Sequence, residues 1–222
     1  PSGPVRVGNA AVNQNQHDVY GSIIMAATPM FFDRRLPHPG DTALFRTIEP
    51  LGEQAAKLAL EPDAGIWEYR GRQRVHTHSA AMCWAGCQRL EAIANHLNLP
   101  DRAAYWGAIA GRIGEEVLKR AWNPKRKAFS AAFDSDDLDA SALLLAELGL
   151  VAPDDPRFVS TVEAIGHELR RGYNVMRYVA ADDFGRPESA FLIYRFWLVD
   201  ALWEIGRQDE ARDMFIDALR IR

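Results

Sequence analysis

The stretch Ser189-Ala190-Phe191-Leu192-Ile193-Tyr194-Arg195-Phe196-Trp197-Leu198-Val199-Asp200-Ala201-Leu202-Trp203-Glu204-Ile205 is apolar on nearly every side when wound as a helix. A helix apolar all round is expected to be buried all round. Arg102–Ala121 reads differently. Its apolar positions Trp106, Ile109, Ala110, Ile113 and Val117 fall on one face, and Arg112, Glu115, Glu116 and Lys119 fill the other. Helices of the first kind inside helices of the second kind describe a nested, double-ring arrangement; a stacked solenoid is the competing one. No fixed-period repeat runs along the chain, which weighs against the solenoid.

Outward from these two segments the helical period continues. It runs through Leu90, Ile93, Ala94 and Leu97, and through Ala211, Met214, Phe215 and Ala218. About eight helices are predicted: Asn13–Phe31, Thr42–Leu60, Ser79–Leu97, Arg102–Ala121, Asp139–Leu148, Pro156–Leu169, Ser189–Ile205 and Asp209–Arg222. Asp101, Asp139 and Asp209 stand where N-caps belong, and Asn98 to Pro100 separates two helices. Phe129–Phe133 reads as a short extended piece. No strand-rich region interrupts the pattern, so the predicted fold class is all-α.

Of the 222 residues, 48% are hydrophobic and 25% charged, enough for one domain, 1–222, with a sizeable core. The 26 Lys and Arg are interspersed among 30 Asp and Glu without a basic stripe, so no nucleic-acid partner is expected. No apolar run reaches spanning length, so no membrane partner is expected either. Two cysteines, Cys83 and Cys87, stand one helical turn apart and read as core thiols. They imply no disulfide framework and fit a reducing, cytoplasmic compartment. The chain opens on Pro1 without a charged-then-apolar leader, the start expected of a fragment or a processed product.

Glu61 to His78 is a long connection for a helical domain, and long connections are often functional. It brings Trp67, Glu68 and Arg70 within four residues. An aromatic ring can cover the apolar face of a pyranose while charged groups bind its hydroxyls. The competing reading is a surface loop with a Glu–Arg pair. His76 and His78 have no cysteine or carboxylate at ligand spacing in the loop, so no metal is expected. No other cofactor is indicated. Most of the six tryptophans read as core, with Trp67 and Trp84 the exceptions because they flank the loop.

Several segments together resemble glycoside hydrolase family 15, the family of glucoamylases, bacterial glucodextranases and some trehalases. They begin with Val7-Gly8-Asn9-Ala10-Ala11, Gln14, Gln16 and Asp18-Val19-Tyr20-Gly21. Pro62-Asp63-Ala64-Gly65-Ile66-Trp67-Glu68-Tyr69-Arg70-Gly71 is similar to the family's Pro-Asp-x-Gly-Ile-Trp-Glu-x-Arg-Gly motif. His78-Ser79, Met82-Cys83-Trp84, Arg89, Leu138-Asp139-Ala140-Ser141, Arg177-Tyr178 and Phe196-Trp197-Leu198-Val199-Asp200 continue the likeness in order. The resemblance implies an (α/α)6 barrel, a six-hairpin toroid of which eight helices are about two-thirds. It further implies an N-terminal β-rich domain and the first barrel helices ahead of the segment that opens here, and these are expected to be missing.

By the same resemblance the expected activity is inverting hydrolysis of α-glucosidic bonds, glucoamylase-like, with a disaccharide or oligosaccharide substrate. Trehalose hydrolysis is the alternative, and a silent carbohydrate-binding or interaction fragment is a second. An inverting site holds two carboxyls about 6.5–9.5 Å apart, one protonating the leaving oxygen and one deprotonating water. Glu68 matches the family's acid, whose proton affinity must be raised by burial or by a neighbouring carboxylate. Trp67 and Arg70 are expected to bind substrate, with Arg70 turned away from the Glu68 carboxyl. The family's base lies in a Leu-Ser-Glu segment that nothing here matches. Glu188 is the internal stand-in, and is expected to line the sugar site or cap the helix beginning near Ser189. The chain alone is therefore expected to be inactive. Inner faces such as Phe191, Phe196 and Trp197, left uncovered, favour self-association or a partner.

Five departures from the family pattern stand out. Tyr69 replaces a second Glu, and Asn13 and His17 replace acidic and apolar residues. Gln88 precedes Arg89 in place of Asp. Tyr194-Arg195 replaces smaller residues in an inner helix, and a buried Arg needs a partner.

Overall fold

The computed structural model describes residues 14–172, 174–182 and 185–220. The motif Val7-Gly8-Asn9-Ala10-Ala11, Asn13, and the last two residues of the predicted final helix lie outside them. Helix α1 spans Asp18–Ala27, α2 Pro29–Phe32, α3 Thr42–Leu58, α4 Thr77–His96, α5 Pro100–Arg120, α6 Pro156–Glu168, α7 Leu192–Glu204 and α8 Gln208–Arg220, with a 3-10 helix at Ala140–Leu144. Two short antiparallel pairs accompany them. β1 (Trp122–Asn123) pairs with β2 (Ala128–Phe129), and β3 (Arg170–Arg171) with β4 (Asn174–Val175). The fold is all-α. Among the described residues no helix is long and apolar enough to cross a membrane.

Boundaries follow local chemistry. Asp41 caps α3 by accepting from the Ala43 and Leu44 amides, and Asp155 caps α6 by accepting from Arg157, with Pro156 in the first turn. The predicted first helix is divided where Pro29, which has no N–H to donate, starts α2. Neither Asp101 nor Asp209 is an N-cap. Pro100 begins α5 one residue before Asp101, and α8 begins at Gln208, so both carboxylates sit in first turns and favour the helix dipole instead. Asp139 is an N-cap, but of the 3-10 helix. The predicted α-helix Asp139–Leu148 is not formed as such. Leu143, Leu145, Leu148 and Leu150 are all buried, and packing on several sides overrides the helical preference of the leucines.

The helix buried on most sides is α4, not α7. Ser79, Ala80, Ala81, Ala85, Gly86 and Ala94 keep α4 thin, and α1, α3 and α5 close around it. In α5 the buried face is the predicted one, Trp106, Ile109, Ala110, Ile113 and Val117. The expectation that α7 is buried all round is corrected. It buries Tyr194, Arg195, Leu198, Val199, Ala201 and Leu202, while Phe191, Leu192, Ile193, Phe196 and Trp203 remain 37–53% exposed. Phe215 of α8 is likewise exposed and meets Phe196 edge-on. The doubt over Arg195 is answered by α8: fully buried, it donates to the Met214 carbonyl.

Helices α1 and α4 cross at close range. A methyl group on Gly21 would stand 2.0 Å from the Met82 carbonyl oxygen, and one on Gly86 3.0 Å from the Gly21 Cα. Because backbone occupies that space, Gly21→Ala is expected to push the helices apart and cost about 1–3 kcal/mol of stability, as overpacking does. Urea unfolding checks this; an unchanged midpoint would mean that the crossing is looser than described.

Candidate active site

The long connection is an excursion whose ends are tied together. Asp63 and Arg74 exchange backbone hydrogen bonds of 2.9 and 3.2 Å, and His76 bridges to Ala132. Between them the chain turns back on itself: the Glu68 amide donates to Gly65 and the Tyr69 amide to Ala64. The segment before α1 holds the turn from the other side. Ala64 N–H donates to the Asn15 carbonyl, Gln14 Nε2 to the Glu68 carbonyl at 2.7 Å, and Gln16 Nε2 to that of Gly65. Below it the fully buried Asp63 accepts from the His17 amide at 3.0 Å and from Ser79 Oγ at 2.7 Å.

Two residues of this turn lie in the left-handed region, Gly65 at φ 66° and Glu68 at φ 56°. For glycine that costs nothing; for glutamate it is an uncommon conformation that the surrounding bonds must impose. Strain of this kind concentrates at functional sites. Glu68 is exposed. Of the two expected means of raising its proton affinity, burial or a neighbouring carboxylate, the described residues do not supply burial: Trp67 turns to the inside of the loop and Glu68 to the outside.

Trp67 is half-buried at the centre of an aromatic cluster. Its ring meets Tyr194 edge-on at 5.3 Å, Trp197 at 6.3 Å and Tyr178 at 6.4 Å. Its indole N–H donates to Asp139 Oδ2 at 2.6 Å. Tyr69, in place of the second Glu, stacks on His76 at 5.4 Å with the rings nearly parallel. It also meets Tyr178 at 5.5 Å and carries the Arg72 guanidinium over its ring at 5.2 Å. Tyr69, Arg72, Arg74, His76 and Tyr178 line one cleft. Arg70 is exposed on the same turn as Glu68. Trp84 does not join the cluster; its indole lies against Gly114 at the contact of α4 with α5.

Glu188 is exposed and lines a second cleft with Arg177, Asp182, Arg186 and Phe191. It does not cap α7, whose N-cap position is Phe191 after an extended approach. The two clefts are joined by side chains. Phe191 packs edge-on against Tyr194, which packs on Trp67; Arg177 and Tyr178 both bond Asp182, at 2.9 and 2.8 Å. Trp67 and Phe191, a lining residue of the Glu188 cleft, thus both pack on Tyr194.

Burial governs the titrating groups here. It pushes the Asp139 carboxyl above its usual range, against the lowering effect of the Ser141 and Trp67 hydrogen bonds and the Arg177 charge. It pushes Tyr178 up to about 12 and Cys87 up to about 12. It pulls His76 down, opposed by Asp63, and together with neighbouring His76 pulls His78 down to about 4. Both cysteines are buried core thiols, as read from their spacing.

Sequence reasoning did not place Tyr178, Tyr194, Trp197 or Arg72 at the site. Arg177-Tyr178 and the α7 run were visible, but an aromatic that fills a core and one that walls a cleft look alike in one dimension.

The arrangement of helical hairpins defines the class by its fold, a partial helical barrel of the six-hairpin glycosidase kind. Among solved structures the chain is similar to a glycosidase in complex with glucose, with a TM-score of 0.75 at 20% identity, covering 89% of this chain and 51% of that one. It is also similar to the Hormoconis resinae glucoamylase, with a TM-score of 0.51 at 9% identity, covering 90% and 37%. At these identities the likeness carries the fold, a partial six-hairpin (α/α)6 barrel.

The family follows from sequence. The model of glycosyl hydrolases family 15 matches residues 1–221, and the chain belongs to that family. It is 36% identical over 212 residues to a trehalase of Mycobacterium tuberculosis, covering 94% of this chain and 31% of the relative. To a trehalase of Thermoplasma acidophilum it is 32% identical over 212 residues, covering 95% and 36%. The chain spans about a third of the length of the curated relatives it matches.

Proposed function

We propose that this chain carries the general acid, Glu68, of an enzyme that hydrolyses an α-glucosidic bond with inversion, and that trehalose is its substrate. The observation that carries the reading is the Pro62-to-Gly71 motif folded as a tied excursion, with Glu68 held exposed in a left-handed turn, the residue next to the walled Trp67. The curated relatives named above favour trehalose over maltooligosaccharides; each is a trehalase.

In this reading Glu68 protonates the glycosidic oxygen as the bond from the anomeric carbon breaks. A water attacks that carbon from the opposite face and gives its proton to a second carboxylate. Asp139 is unsuited to that second role, because it is buried and both its oxygens are already engaged. Glu188, exposed beside Arg177 and Arg186, is suited to binding hydroxyls. A bound sugar stacked on the aromatic wall would itself cover Glu68 and supply the desolvation that an acid near neutral pH requires.

Inversion makes a checkable statement about products. In trehalose both anomeric carbons are α. Attack at one inverts it, so each turnover should release one β-glucose and one α-glucose. Proton NMR of the first products, recorded before mutarotation, reads the two anomers directly. Two α-glucose molecules per turnover would mean retention and remove the inverting mechanism. Turnover of maltose with none of trehalose would shift the reading to a glucoamylase-like substrate.

A further inference from the structure

We infer that Asp139 is a positioning residue for the proposed hydrolysis, holding the Trp67 indole and through it the turn that carries Glu68; the inference rests on Glu68 being the acid. Asp139 opens the 3-10 helix Ala140–Leu144, 72 residues along the chain from Trp67. It is 3% exposed. Capping a short helix needs one side-chain oxygen, and Oδ1 does all of it, accepting from the Ser141 amide at 2.8 Å and the Ser141 hydroxyl at 2.6 Å. Oδ2 takes no part in the cap. It accepts the Trp67 indole N–H at 2.6 Å, a charge-assisted bond.

A buried carboxylate is a costly way to cap a helix, since Ser, Thr or Asn would cap it without burying a charge. What the carboxylate adds is a second acceptor aimed at Trp67. Tyr194, Trp197 and Tyr178 hold the faces and edge of the indole, and Asp139 fixes its rotation in the ring plane. Glu68 is the next residue, in a backbone conformation that it would not adopt unaided. Freedom of the indole is therefore freedom of the acid. Asparagine cannot replace Asp139: with one acceptor oxygen and one NH2, it either caps Ser141 and turns a donor to the indole N–H, or does the reverse.

The test is Asp139→Asn in the intact protein, with 15N-labelled tryptophan. Three quantities are read: the Trp67 Nε1–H resonance (assigned with Trp67→Phe), amide exchange at residues 66–70, and kcat and KM on trehalose. The expected result is an upfield shift of the indole N–H and amide exchange at least about 10-fold faster. With these, kcat should fall about 10- to 100-fold while KM changes little, the pattern of a misplaced catalytic group. An unmoved indole resonance, or a moved one with wild-type kcat, overturns the inference. A residue that only capped the helix would lower the melting temperature and leave both readings in place. If Asp139→Asn does not fold, Trp67→Phe decides: it keeps the carboxylate and the cap and removes the N–H, and wild-type kcat in it overturns the inference. If the unaltered protein cleaves no α-glucoside, the hydrolase reading fails by itself, and the indole resonance and loop exchange still decide whether Asp139 holds the turn.

Discussion

On the proposed reading, Glu68→Gln in the intact protein is expected to lower turnover of trehalose about 100-fold or more, the loss that follows when a general acid is replaced by an amide of the same shape. The substitution leaves the fold alone. Glu68 is exposed, and the turn is held by main-chain bonds and by Gln14 and Gln16 rather than by the carboxylate. The melting temperature should therefore stay within a few degrees. The loss should be confined to substrates whose leaving group needs a proton. On an α-glucoside with a strongly acidic leaving group, such as a dinitrophenolate, the variant should recover most of its rate, because the departing oxygen carries its own charge. Steady-state kinetics on the two substrates checks both halves. Near-wild-type turnover of trehalose by Glu68→Gln would remove Glu68 from the mechanism.

Acid is expected to destabilise this protein through its buried histidines. His78 is buried in the first turn of α4, and burial together with His76 holds it at about 4, against an ordinary value of 6.5. Its neutral form is therefore the native one. Above pH 6.5 the histidine is neutral in both the folded and the unfolded chain, and the full stability is present. As pH falls from 6.5 to 4 the unfolded chain takes up a proton that the folded chain refuses, and stability drains away at each step. Over that window the loss is about 3 kcal/mol, at ~1.4 kcal/mol per pH unit. His76, also pulled down by burial, adds to it in the same direction. Urea midpoints measured between pH 7 and pH 4 should fall steadily in the unaltered protein and less steeply in His78→Leu, which cannot take up the proton. A midpoint independent of pH across this range would refute the assignment. Thr77 and His78 directly follow the excursion that carries Glu68, so loss of activity on the acid side should track unfolding of this corner.

Sequence by itself determined the helical class, because the 3.6-residue period is local: in Trp106 to Val117 each apolar residue meets the next within two turns of the same helix. It also determined the excursion, since the Pro62-to-Gly71 motif and the spacing to His78 are written in consecutive residues. It did not determine which helix is innermost. The apolar composition of α7 pointed there, yet α4 holds that place through small residues that admit close neighbours, and α7 keeps one face bare. Hydrophobicity records that a side chain leaves water when it can; it does not record whether a partner is at hand to receive it. The site divides in the same way. Trp67, Glu68 and Arg70 were legible as neighbours in one loop. Asp139, Tyr178, Tyr194 and Trp197 were not, because they come from three other parts of the chain and are functional candidates only by meeting Trp67. The single bond from the indole N–H to Asp139, reaching across 72 residues, is a fact of packing alone. A donor buried in the core must find its acceptor wherever the helices bring one, and only the tertiary structure says where that is.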